Sequence, residues 1–109
     1  MDNQLTEKIH YNSLFDIYGL LLTDKQREYF QYYYSDDYSL SEIAELYKVS
    51  RNAVFDQIKK AINHLEKYEE KLNIWKQKQK IETISEQIKA LYPNDIQLAS
   101  LVDKIEKTE

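Results

Sequence analysis

A chain of 109 residues and 13.1 kDa provides for one compact domain and is short for two ordinary ones. With 42% hydrophobic and 31% charged residues it falls in the globular range, which excludes disorder throughout. A formal net charge of -4 excludes a strongly attractive overall field for nucleic acid, although a local basic patch would still bind phosphate.

One Gly and one Pro, with no Asn-Gly or Asp-Gly pair, leave almost no hairpin chemistry, so the fold class reads all-α. The absence of cysteine excludes a disulfide scaffold, thiol catalysis and thiolate metal sites. The start, "MDNQLTEKIH", is polar, and the longest aliphatic run is Leu20 to Leu22. A soluble, cytoplasmic protein without membrane insertion is expected.

In chain order, Leu5, Ile9, Leu14, Phe15 and Tyr18 approximate a helical face, and Gly19 is placed to supply a left-handed cap. "TDKQ" at 23–26 has capping-box spacing, Thr23 to Gln26, and opens a second helix over roughly 24–35. "SDDYS" breaks it. Ser39 and Glu42 form another capping box ahead of a short helix at about 40–47, carrying Ile43, Ala44, Leu46 and Tyr47. Val49 falls in the turn, Ser50 is the expected N-cap of a fourth helix, and Val54, Ile58, Ala61, Ile62 and Leu65 mark its buried stripe.

Leu65 and Leu72 share one face of a continued helix, whereas Ile74, Ile81, Ile84, Ile88 and Leu91 define another. At about 100° per residue the two stripes point nearly opposite ways, so either the helix breaks near Asn73 or it is packed on two sides; a break or bend is favoured, with a new helix over about 74–91 stopped before "YPND". Asn94 or Asp95 can cap a last helix carrying Ile96, Leu98, Leu101, Val102 and Ile105. The expected organisation is therefore a helix-turn-helix domain with an N-terminal helix over 1–73, and a helical extension over 74–109 packed on that domain or on a dimer partner. Charge divides unevenly: residues 1–73 hold 9 basic and 13 acidic side chains, residues 74–109 hold 6 and 6.

Helices three and four have the parts of a helix-turn-helix: a short first helix, a tight turn, a small residue at the crossing (Ala44), a docking residue (Val49) and an apolar side on the second helix (Val54, Ile58). The same parts would serve an ordinary helical hairpin. Lys48 stands where a glycine is common in the turn, and Gln57 where an apolar residue is common. If helix four touches nucleic acid, the candidates are Ser50, Arg51, Asn52, Phe55, Asp56, Lys59 and Lys60. Guanidinium suits guanine, an amide suits adenine and lysines suit phosphates. Asp56 opposes this unless it accepts from a cytosine amino group or pairs with Lys59 or Lys60. A merely solvated helix face would show the same charged set.

"YFQYYYSDDY" at 29–38 carries six aromatics. Tyr29, Phe30, Tyr33 and Tyr34 recur at one-turn spacing and are assigned to a core or partner interface, with Tyr32 and Tyr38 freer to stack on a ligand. Asp36 and Asp37 lack the glycine and glutamate of a calcium loop. His10 and His64 are isolated, so no metal, cofactor or catalytic residue is expected, and nothing supports enzyme activity. The stripe of Ile74, Ile81, Ile84, Ile88 and Leu91, with Gln77 in a heptad slot, suits a partner helix and suggests a homodimer; packing against the last helix of the same chain would use the same residues. Tyr32, Trp75, Ile81, Ile84 and Ile88 are the interaction candidates.

Residues 14–72, through "LLTDKQREYF", "YYSDDYSLSEIAE" and "VSRNAVFDQIKK", resemble the YlxM-like proteins of Gram-positive bacteria, which look like the fourth-region DNA-binding domain of sigma factors. The resemblance implies a sigma-region-4-like helix-turn-helix with added N-terminal and C-terminal helices, and an accessory or regulatory role. Gene neighbourhood in that family links it to the signal recognition particle pathway. The implied partners are DNA or the particle's RNA, or the particle's GTPase or its receptor. A sigma-like transcription regulator and a protein-interaction adaptor that binds no DNA are the alternatives. By the sigma resemblance Ser50, Arg51, Asn52, Phe55, Asp56 and Lys59 align with DNA-facing positions, in a helix poorer in arginine than sigma recognition helices.

Overall fold

The computed structural model describes residues 2–107, with side chains from residue 5 onward. Six α-helices occur in the order α1 (Asp2–Tyr18), α2 (Asp24–Phe30), α3 (Leu40–Tyr47), α4 (Arg51–Leu72), α5 (Ile74–Leu91) and α6 (Ile96–Lys107), with no strand among the described residues. A 3-10 turn (Gly19–Leu21) follows α1, and a π-helical turn (Gln31–Ser35) prolongs α2. Two units divide the chain, Met1–Leu72 and Asn73–Glu109.

Local chemistry sets the boundaries. Both capping boxes form: the Gln26 amide donates to Thr23 Oγ1 at 3.2 Å and the Thr23 amide to Gln26 Oε1 at 3.3 Å. Likewise the Glu42 amide donates to Ser39 Oγ and the Ser39 amide to Glu42 Oε1, each at 3.0 Å. The backbone donor at Ser39 holds the Glu42 carboxyl below its ordinary value. Helix α3 ends where Lys48 turns left-handed (φ 56°), letting the Val49 amide donate back to Ala44 O at 3.0 Å. Asn73 adopts the same conformation (φ 57°) and separates α4 from α5 where the two apolar stripes diverge.

Gly19 departs from expectation. It is not left-handed, and α1 runs into the 3-10 turn closed by the Leu22 amide on Gly19 O. Space explains the residue: a Cβ there would meet the Phe15 ring at 3.1 to 3.2 Å, and that ring is stacked on buried Phe30 at 4.6 Å between centroids. The α1 stripe is also shorter than expected. Leu14 and Tyr18 are buried while Leu5 and Ile9 are exposed. At 100° per residue Ile9 lies about 140° from Leu14, so one contact line cannot bury both.

The core of the first unit joins Leu14 and Tyr18 of α1 to Tyr29 and Phe30 of α2, Ile43 and Ala44 of α3, and Val54, Ile58, Ala61 and Leu65 of α4. Within it Tyr29, Ile43, Ala44, Val54 and Ile58 form the cluster that fixes α3 across α4. Ala44 lets the two helices approach. The docking role expected of Val49 is met only in part, since it remains 37% exposed. The left-handed residue before it closes the turn through the backbone instead. Ile62 is half-buried at the edge of the stripe, as is Gln57.

The second unit is a helical hairpin. Of the two candidate caps it is Asp95 that accepts from the Leu98 amide, at 3.0 Å, and Lys89 pairs with Asp103 at 2.6 Å. Of the stripe expected on α6 only Val102 is buried; Ile96, Leu101 and Ile105 are exposed. Two helices leave each other one contact line, too narrow to cover so wide an apolar face. Among the described residues no helix is long and apolar enough to cross a membrane.

Candidate nucleic-acid interface

Ser50 starts α4. Its Oγ accepts from the Ala53 amide at 3.0 Å, and its carbonyl accepts from Val54 at 3.2 Å. With the oxygen occupied as an acceptor, the hydroxyl proton is what Ser50 can still offer a ligand, and that suits a phosphate. The same cap leaves the positive end of a 22-residue helix at an exposed surface.

From this start the stripe Val54, Ile58, Ala61 and Leu65 fixes the rotation of α4. Helical geometry then turns Asn52, Asp56, Lys59 and Lys60 to the side away from the core, each more than about 120° from the buried line. All four are exposed, as are Ser50 and Arg51 in the first turn. Exposed Lys48 adjoins them in the turn. Sequence reasoning treated Lys48 only as a substitute for glycine, although a cation next to a predicted reading helix was a signal for it. Asp56 is the one anion in the set, and among the described residues no ion pair of 4 Å or less joins it to Lys59 or Lys60. Three lysines (Lys48, Lys59 and Lys60) and Arg51 stand against the one carboxylate of Asp56 over residues 48–60, in a net acidic chain.

Phe55 belongs to a different feature. It is 50% exposed and flanks a cleft of about 250 Å³ lined also by Tyr33, Tyr34, Leu40, Ile62 and Lys59. Tyr33 and Tyr34 are placed there by the π-helical turn, whose Tyr34 carbonyl accepts from Asn12 Nδ2 of α1 at 3.3 Å. Burial, with Tyr33, Tyr11 and Glu7 nearby, pushes the Tyr34 hydroxyl up to about 12. Its ring lies against Phe30 at 4.7 Å and edge-on to Tyr33 at 5.0 Å. The Tyr34 ring is therefore a neutral wall of the cleft at physiological pH.

Tyr32 is tied into packing: its ring sits 4.8 Å from Tyr38 and 6.1 Å from Tyr47. Tyr47 in turn donates to Glu28 at 2.9 Å, and burial together with that acceptor raises its hydroxyl above the ordinary tyrosine value. Tyr38 is the more open of the two rings, at 38% exposure. In the second unit Trp75 and Ile88 are half-buried, while Ile81 and Ile84 are exposed. The structure therefore turns Asn52, Asp56, Lys59 and Lys60 away from the core stripe of α4, leaves Lys48, Ser50 and Arg51 exposed at its start, sets Phe55 beside an aromatic cleft, and leaves Ile81 and Ile84 exposed in the second unit.

Known proteins resemble this chain along nearly its whole length. The model of the UPF0122 family, described as YlxM / p13 like helix-turn-helix proteins, matches residues 5–106. A UPF0122 protein of Latilactobacillus sakei is 46% identical over 111 residues, covering 97% of this chain and 98% of the relative. One from Bacillus licheniformis is 46% identical over 105 residues, covering 96% and 98%. Another, from Geobacillus kaustophilus, is 44% identical over 109 residues, covering 96% and 99%. The resemblance read from residues 14–72 thus extends through both units, and the chain belongs to the UPF0122 family.

Proposed function

We propose that this helix-turn-helix protein has a regulatory or accessory role carried out by binding nucleic acid through the first turns of α4. The observation that supports the reading is that Asn52, Lys59 and Lys60 are exposed on the side of α4 away from its core stripe, with exposed Lys48 and Arg51 at its start. Arg51 and Asn52 lie in the first turn, where a helix entering a groove makes base contacts, and Lys59 and Lys60 lie two turns on, where phosphates are met. The signal recognition particle pathway is the setting suggested by the family resemblance, with DNA or the particle's RNA as the bound polymer.

The test is fluorescence anisotropy of a labelled mixed-sequence duplex at two salt concentrations, with the wild type and the variant Arg51→Ala/Lys59→Ala. Binding that weakens steeply with salt and is lost in the variant supports the reading. No binding at low salt overturns it for duplex DNA, and the same titration with structured RNA decides the remaining half.

A second reading has its own observation. Phe55 beside the cleft of Tyr33, Tyr34 and Leu40 is a ready seat for an apolar side chain of a protein partner, for which the particle's GTPase or its receptor is the candidate. Binding of this kind would respond weakly to salt and be abolished by Phe55→Ala.

A further inference from the structure

We infer that the α5–α6 hairpin associates with the hairpin of a second copy of this chain, face to face, as a four-helix bundle. The argument begins with what the hairpin fails to bury. Among its described residues only Ser85 and Val102 are buried, while Ile81, Ile84, Leu91, Leu101 and Ile105 are 41%, 53%, 73%, 57% and 56% exposed. One buried valine with the half-buried Ile74, Trp75, Ile88 and Leu98 is little to set against the conformational entropy of two ordered helices.

These exposed residues are not scattered. The short connection, the Lys89 to Asp103 pair and the cleft shared by Ile81 and Ile105 show that α6 runs antiparallel to α5, with Ser85 and Val102 on the inner line. At 100° per residue from that line, Ile81, Ile84, Ile88 and Leu91 project to one side of the hairpin. Because α6 runs the other way, Leu98, Leu101 and Ile105 project to the same side. Lys89 and Asp103 close on the opposite side, where Glu82 and Glu106 also fall. The hairpin is therefore amphipathic as a unit, with one broad apolar face and one charged face.

Three features select a second copy as the occupant. Gln77, Ile81, Ile84, Ile88 and Leu91 follow alternating spacings of four and three, as do Leu98, Leu101 and Ile105 at three and four; this is the period of helices packed at about 20° in bundles. Residues 74–109 carry six basic and six acidic side chains, so two hairpins approach without net repulsion, whereas a strongly charged partner would find no complement. Finally, a face 18 residues long on α5 and 12 on α6, each helix about 10 Å wide, measures about 450 Å², or roughly 900 Å² for the two copies together, near the lower end of the size of a specific interface.

Sedimentation equilibrium of the full chain at micromolar concentration is expected to give twice the 13.1 kDa chain mass. Ile84→Lys/Leu101→Lys should weaken association by at least about a hundredfold, since it places unpaired charges in the contact; Glu82→Gln on the charged face should leave it unchanged. As a second readout independent of the lysine variant's folding, the cysteine-free chain carrying Ile84→Cys should be captured as a covalent dimer by a short bismaleimide, and Glu82→Cys should not. A monomer at every concentration tested overturns the inference. So does a dimer that survives Ile84→Lys/Leu101→Lys with its helix content intact.

Discussion

The hydroxyl of Tyr18, at the end of α1, donates a 2.7 Å hydrogen bond to Oε1 of Glu69 near the end of α4, joining residues 51 positions apart. Tyr18 is 1% exposed and its ring also tilts against Tyr68 at 5.9 Å, so it is both a core side chain and the polar link between the first and fourth helices. Tyr18→Phe should lower stability by about 1 kcal/mol, the usual worth of such a hydrogen bond, while Tyr18→Ala should cost about 3 to 5 kcal/mol by opening a cavity. Urea unfolding followed by far-UV circular dichroism distinguishes the two. Equal losses in both variants would mean that the ring contributes nothing to the packing of α1.

The turn of the helix-turn-helix holds a lysine in a left-handed conformation that glycine enters freely. Lys48→Gly is therefore expected to stabilise the chain by about 1 kcal/mol, seen as a higher urea midpoint. Because Lys48 is also an exposed cation just before α4, on the proposed reading the same substitution should weaken duplex binding and reduce its salt dependence by about one phosphate contact. A lower midpoint would show that the side chain of Lys48 contributes more to the fold than its backbone strain costs.

Asp56 is exposed among Asn52, Lys59 and Lys60. On the proposed reading its carboxylate repels the phosphate backbone, so Asp56→Asn should raise affinity for a mixed-sequence duplex by roughly two- to fivefold at low salt. The gain should shrink as salt rises. An unchanged or weakened affinity would instead mark Asp56 as an acceptor for a base amino group.

Burial and neighbouring carboxylates raise the hydroxyls of Tyr11, Tyr29, Tyr34 and Tyr47, with Tyr34 at about 12. A raised folded value favours the neutral tyrosine in the native state, so the contribution is complete below the unfolded value of about 10 and is lost as pH rises through the folded values. Lys89, held protonated first by its hydrogen bond to Asp103, acts in the same direction in the second unit. The urea midpoint should stay level from about pH 8 to 9 and fall above about pH 10. Tyr47→Phe should flatten that fall. A midpoint level through pH 11 would contradict the burial of these rings.

Much of the secondary structure was legible because it depends on neighbours in sequence. Thr23 with Gln26 and Ser39 with Glu42 announce their helices through a hydroxyl and a side chain three residues apart. The opposed stripes on either side of Asn73 favoured a break over a helix packed on two sides, and Asn73 turns left-handed there. Val54, Ile58, Ala61 and Leu65 likewise fixed the face of α4, and with it the outward position of Asn52, Asp56, Lys59 and Lys60. Periodicity determines rotation about a helix axis, and rotation alone decides which side chains point away from the core.

Tertiary structure decided what depends on distance between helices. Gly19 looked like a left-handed cap, but what favours it is the Phe15 ring packed closely across it, a ring stacked in turn on Phe30. Phe55 looked like one more exposed residue of the reading helix, yet the π-helical turn brings Tyr33 and Tyr34 beside it and makes a cleft. The stripes of α5 and α6 were visible as lists of Ile and Leu; only the antiparallel hairpin shows that they merge into one face. Local hydrogen bonds and helical period are written in a few consecutive residues, whereas clefts and shared faces arise from the packing of segments that the sequence keeps apart.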